Sequence, residues 1–98
     1  MGKNDVAVKL GASNSLITGE WAWPIHGLRH PPADGTSGWF IWSGEFSDAD
    51  DFFKPWHQAH FDERWPKLAH LLELPAGSRF LVAPGYEDVW RDESLLDD

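Results

Sequence analysis

Two histidines in the middle of the chain have the side-chain chemistry to bind a metal ion. His57 and His60 are three positions apart, so a helix would place both imidazoles on one face, with the carboxylates of Asp62 and Glu63 close by. Imidazole together with carboxylate is a donor set for zinc or iron. However, the His-Glu-x-x-His signature is missing, and a structural role at a helix boundary explains the same residues. We therefore name His57 and His60 as weak metal candidates and expect no cofactor.

Two further histidines, His26 and His30, lie in HGLRHPPADGTS, which has the composition of a loop from His26 to Ser37. Long loops often carry functional residues, although a plain connection has the same composition. Together with Glu45 and the pair above, these histidines define one alternative function, a metal-dependent or small-ligand enzyme. No serine lies in a nucleophile elbow and no glycine-rich phosphate loop is present, so we predict that the protein is not an enzyme.

Carboxylates beside aromatic residues indicate a different chemistry, the recognition of a basic protein partner. One acidic run, SDADD, follows the mid-chain aromatic stretch, and another, in YEDVWRDE, surrounds an aromatic pair. Aromatic residues rimmed by carboxylates are typical of a protein–protein hot spot. The residues that we predict to bind a partner are Glu45, Asp48, Asp50, Asp51, Glu87, Asp88 and Trp90. The alternatives are that Trp90 packs in the core and that the acids are merely solvated.

The composition agrees with a protein-binding function. Sixteen acidic against eight basic residues give a formal net charge of −8, which argues against nucleic-acid binding and suits a basic partner. The chain has no cysteine and no apolar run long enough to span a bilayer, so we expect a cytoplasmic protein. Its 98 residues predict a single domain, residues 1–98. Seven Trp and six Phe are many large aromatic residues for one small core. A homodimer that buries the surplus between its subunits is therefore a further alternative.

The element around which these residues must be arranged is the stretch GWFIWSGE, Gly38–Glu45. Four consecutive apolar residues between glycines are too short for a helix and predict a strand that is buried on both faces. Side chains alternate along a strand, so Trp39 and Ile41 line one face and Phe40 and Trp42 line the other.

The remaining segments supply the cover for this strand. A capping-box-like start and Pro55 predict a short helix at Asp48–Phe53, and Pro66 begins a second helix whose apolar stripe contains Leu68 and Leu72. Alternation and turn signals predict further strands at Val6–Leu10, Leu16–Ile25, Arg79–Ala83 and Tyr86–Arg91. Strands at both ends with helices bunched between them predict an α+β fold, an antiparallel sheet of about four to five strands covered by one or two short helices.

Three pieces of the chain resemble a known bacterial family. They are Gly38–Glu45 in SGWFIWSGE, and Pro66–Leu74 and Pro75–Phe80 in Trp-Pro-x-Leu-x-x-Leu-Leu-x-Leu-Pro-x-Gly-x-x-Phe. Between them lies an acidic Asp-Asp-Phe-Phe-x-Pro stretch, whose run Asp48–Asp51 matches in character. Together they resemble small domains of unknown function associated with the thirty-third immunity-protein family of polymorphic toxin systems. The resemblance implies a non-enzymatic α+β protein of the cytoplasm that binds and blocks a cognate toxin.

Overall fold

The protein is described by a computed structural model covering residues 9–20, 22–32, 35–47, 49 and 51–96. Six strands and four short helical segments occur in these residues. The strands are β1 (Lys9–Ser13), β2 (Ile25–Arg29), β3 (Thr36–Ser43), β4 (Phe53–His57), β5 (Ser78–Ala83) and β6 (Tyr86–Arg91). The α-helices are α1 (Asn14–Thr18) and α2 (Gln58–Arg64), and 3-10 helices span Pro66–Glu73 and Glu93–Leu96.

All six strands belong to one sheet in the order β4-β1-β3-β2-β5-β6. The pair β1–β3 is parallel, and the other four pairs are antiparallel. The predicted α+β fold with a mostly antiparallel sheet is therefore confirmed, with six strands in place of four to five. The prediction had assigned too many residues to loops and helix and too few to strands.

The mid-chain aromatic stretch forms the interior strand β3, as predicted. Trp39 and Ile41 are 1% and 0% exposed and face the helices. Phe40 and Trp42 lie on the opposite face of the sheet, where they contact the ring of Phe53. The core on the helix-bearing face is formed by Leu10, Ala12, Leu16, Ile25, Trp39, Ile41, Phe61, Leu68, Leu71, Leu72, Phe80 and Val82.

The stretch between β1 and β3 differs most from the prediction. Residues 16–25 do not form one strand, because Leu16 is buried in α1, which is capped by Gly19 with a φ of +91°. Residues 26–37 are not one loop, since β2 covers 25–29 and β3 begins at Thr36. A glycine is required at Gly27 in β2, because the ring of Phe80 occupies the position to which a Cβ would project.

Two other predicted elements also need correction. Of the helix predicted at Asp48–Phe53, Asp48 and Asp50 lie outside the described residues, Asp51 and Phe52 lie in a turn, and Phe53 begins β4. Pro55 ends no helix but sits in this edge strand, where a missing N–H is tolerated. The predicted first strand falls partly on residues 6–8, outside the described residues. Its described part continues past the predicted end at Leu10 as far as Ser13.

The helix predicted after Pro66 is present, but as a 3-10 helix. With three residues per turn, side chains three apart align, so Leu68 and Leu71 both reach the core while Ala69 is only half-buried. The predicted position of Leu72 in the buried stripe is confirmed. This helix packs over the sheet and forms one wall of the groove described below.

Candidate functional site

The residues predicted to bind a partner do not form one site. Glu45 and Asp51 are exposed in the connection from β3 to β4, while Asp48 and Asp50 lie outside the described residues. The second group, in β6, is at the far end of the strand order from β4. Asp51 lies beside the edge strand β4, five inter-strand spacings or about 24 Å from β6, whereas Glu45 follows β3, three spacings or about 14 Å from β6. A partner segment that contacts β6 is therefore nearer to Glu45 than to Asp51.

Within β6 the predicted residues also divide between the two faces of the strand. Glu87 lies opposite Val82 on the helix-bearing face, and Asp88 lies opposite Leu81 on the other. Trp90 shares the face of Asp88 and is 40% exposed, so the alternative that it packs in the core is wrong. Its ring is held by the guanidinium of Arg79, 5.7 Å from the ring centroid.

The same arginine anchors the end of β6. Arg79 Nη1 lies 3.1 Å from Asp92 Oδ2, and the Ser94 hydroxyl donates to Asp92 Oδ1 at 2.6 Å. The hydrogen bonds from Ser94, followed by that from Arg79, lower the pKa of the Asp92 carboxyl. The 3-10 helix Glu93–Leu96 that follows buries Leu95 at the edge of the core.

A large concave surface lies between the β5–β6 hairpin and the helices. We call it the hairpin groove and define it by Trp23, Trp65, Leu68, Val82 and the turn at 84–85. Its volume is about 630 Å³, within the range of ligand-binding clefts. Trp23 is 41% exposed and Val82 belongs to the core, so the groove runs from an accessible aromatic rim to an apolar floor.

The rim of the hairpin groove carries charges of both signs. Arg64 and Lys67 border it on the helical side and Glu87 borders it on the hairpin side. Glu87 Oε2 is 3.5 Å from His70 Nε2, and both side chains are about half exposed, so water screens this contact. The groove therefore offers an apolar floor with separate positions for an acidic and a basic group of a ligand.

An aromatic cluster covers part of the sheet face opposite α2 and the 3-10 helix Pro66–Glu73. Trp42 stacks on His26 with ring centroids 4.9 Å apart, and Phe46 packs edge-on against Trp42 while remaining 58% exposed. Burial, followed by the charge of Arg79, lowers the pKa of His26. The indole Nε1 of Trp42 has no hydrogen-bond partner among the described residues. The packing of Phe46 on Trp42 holds the connection from β3 to β4 against the sheet.

The histidines of the alternative enzyme function are dispersed. His26 and His30 contact Trp42 and Phe40 on the sheet face opposite α2, and the Nδ1 of His30 is 3.1 Å from the carbonyl oxygen of Leu95. His57 is the last residue of β4 and His60 lies in α2, with ring centroids 5.4 Å apart. In the part of the chain that the structure describes, no group of three His, Asp or Glu side chains is placed to hold one metal ion.

Sequence reasoning missed the hairpin groove. Trp23 falls in the strand predicted at Leu16–Ile25 and Trp65 directly precedes the helix predicted from Pro66, and neither position indicates a groove. Their partners in the groove, Leu68 and Val82, come from segments far apart in sequence. The only signal available was the excess of tryptophan over what a small core needs, and that excess does not say which tryptophans remain accessible.

The fold and groove define a small α+β domain in which the described residues form one six-stranded sheet and several short helices. Among the described helices, none combines the length and apolarity needed to cross a bilayer. The family model for the Imm33-like domain matches residues 3–92, and the chain belongs to this family. No curated protein and no solved structure gave a significant match.

Proposed function

We propose that this protein binds a toxin and blocks it by covering its surface, and that the hairpin groove receives the anchoring side chains of the toxin. Membership of the Imm33-like family supports an immunity function. The observation that carries the proposed location is the groove itself, an apolar cleft with an exposed tryptophan at its rim. Pockets of this kind accept the buried aromatic or aliphatic anchors that dominate the affinity of protein complexes.

The charges assign separate roles to the groove and to the rest of the surface. The net charge of −8 attracts a basic toxin over long range and accelerates the encounter. Inside the groove, Glu87 would pair with a basic residue of the toxin, whereas Arg64 and Lys67 would pair with an acidic one. Asp88 and Trp90 on the other face of β6, and the acids of the β3–β4 connection, are then supporting contacts rather than the anchor site.

The first experiment establishes the partner. The genes beside this one are searched for a toxin-like domain, which is expressed in a bacterial host with and without this protein while growth is measured. Under the proposal, co-expression restores growth and the two purified proteins form a complex in calorimetry. A neighbouring domain that is toxic but neither bound nor neutralised would contradict the proposed function.

The second experiment locates the contact by comparing two exposed aromatic residues. Trp23→Ala removes the rim of the groove, and we expect affinity for the toxin to fall by about 10–30-fold, as for a hot-spot residue. Phe46→Ala is the matched control, because Phe46 is exposed on the face away from the groove. Circular dichroism of both variants checks that they fold. Equal losses for both variants, or a loss for Phe46→Ala alone, would place the toxin elsewhere.

A further inference from the structure

The outer edge of β6 exposes backbone groups that the described sheet leaves unpaired. Asp92 donates its N–H to the carbonyl oxygen of Gly77 at 2.7 Å, and the β5–β6 register continues this pairing from Ser78–Arg91 to Ala83–Tyr86. Because bonded and non-bonded pairs alternate in an antiparallel ladder, the even-numbered residues of β6 direct their backbone at β5. The odd-numbered residues Glu87, Val89 and Arg91 therefore direct N–H and C=O groups outward.

The two edges of the sheet differ in their capacity to accept another strand. β4, at the other edge, contains Pro55, which has no N–H and is a common device against edge pairing. β6 has no proline, and all six of its residues are exposed. Charged side chains alone protect it, so a partner strand must match those charges.

We propose that β6 pairs with β6 of a second copy of this chain, antiparallel and centred on Val89, so that two sheets join into one. In this register Glu87 lies opposite Arg91 of the second copy, and Val89 lies opposite Val89. These residues expose backbone donors and acceptors, so the pairing forms about six hydrogen bonds. Their side chains share the helix-bearing face, where opposite charges directly across a ladder stabilise pairing.

The order of charged residues along β6 favours a second copy of this chain as the partner, in the register centred on Val89. On the other face, Asp88 lies opposite Trp90 of the second copy, so no like charges meet there. Moving the centre to Glu87 or to Arg91 sets two identical charges directly opposite, which destabilises a ladder. Because Glu87 and Arg91 lie two residues on either side of Val89, β6 meets opposite charges when it pairs with an antiparallel copy of itself. This proposal does not depend on the identity of a toxin.

Charge reversal tests the proposal with the full-length protein. Glu87→Arg and Arg91→Glu each create like-charge pairs across the two-fold axis, so each should weaken the dimer by at least about tenfold in sedimentation equilibrium. An equimolar mixture of the two variants restores opposite charges at every position and should dimerise. Glu63→Arg, which changes the charge equally on the exposed surface of α2, is the matched control and should leave the dimer unchanged.

A second measurement uses the unaltered protein. The amide hydrogens of Glu87, Val89 and Arg91 should exchange more slowly as the protein concentration rises, while those of Asp88 and Trp90 are already protected by β5. A wild-type protein that stays monomeric at hundreds of micromolar overturns the proposal. Single variants that dimerise as wild type does, or a mixture that stays monomeric, also overturn it.

Discussion

Replacing Trp39 by phenylalanine tests how the central strand holds the helical layer. The indole Nε1–H of Trp39 donates to the carbonyl oxygen of Leu72 at 3.0 Å, near the end of the 3-10 helix. In a 3-10 helix that carbonyl would accept the N–H of the residue three positions on, which here is Pro75 and has none. Trp39→Phe therefore removes buried ring volume and leaves a buried carbonyl without this donor.

We expect Trp39→Phe to lower the free energy of unfolding by about 2–4 kcal/mol. The cavity should contribute roughly 1–2 kcal/mol and the lost hydrogen bond roughly another 1–2 kcal/mol. That is a large share of the roughly 5–15 kcal/mol that stabilises a domain of this size. Urea denaturation followed by far-ultraviolet circular dichroism measures the change. Trp90→Phe is the matched control and should cost less than about 0.5 kcal/mol, because Trp90 is exposed on an edge strand.

If Trp39→Phe is no more destabilising than Trp90→Phe, the indole does not tie the helix to the sheet and this account of the fold is incorrect.

Two further predictions concern the backbone and the pH dependence of stability. Gly38→Ala should destabilise the protein by more than about 3 kcal/mol in urea denaturation, since φ is +89° and the new Cβ would overlap the His30 carbonyl oxygen. Gly35→Ala, where φ is +74° and the space beside the Cβ is open, should cost about 1–2 kcal/mol. Similar costs for the two variants would contradict this explanation. Burial lowers the pKa of His26, so the unfolded chain binds more protons and stability falls as pH drops below about 6.5. His26→Phe keeps a ring against Trp42 and should reduce this acid sensitivity; an unchanged pH profile would show that His26 does not cause it.

The regular strands near the middle and end of the chain could be predicted because their residues agree with their environment. GWFIWS in β3 and the alternation in β5 require cover on particular faces whatever lies beside them. The predictions for residues 16–29 and 48–57 were wrong where the structure describes these residues. Both segments contain glycine or proline, and whether such a residue is compatible with a strand depends on what packs beside it. Gly27 marks a strand only because Phe80 covers it, and Pro55 is acceptable in β4 only because β4 is an edge.

The sequence by itself determined the fold class, the burial of Trp39 and the similarity to the immunity family, because alternation, composition and motif are local properties. The tertiary structure alone decided which aromatic and charged side chains meet. It set Asp51 beside one edge of the sheet and β6 at the other, brought Trp23 and Trp65 into one groove, and left β6 as an open edge. These outcomes follow from strand order, which depends on long-range packing of segments far apart in the chain.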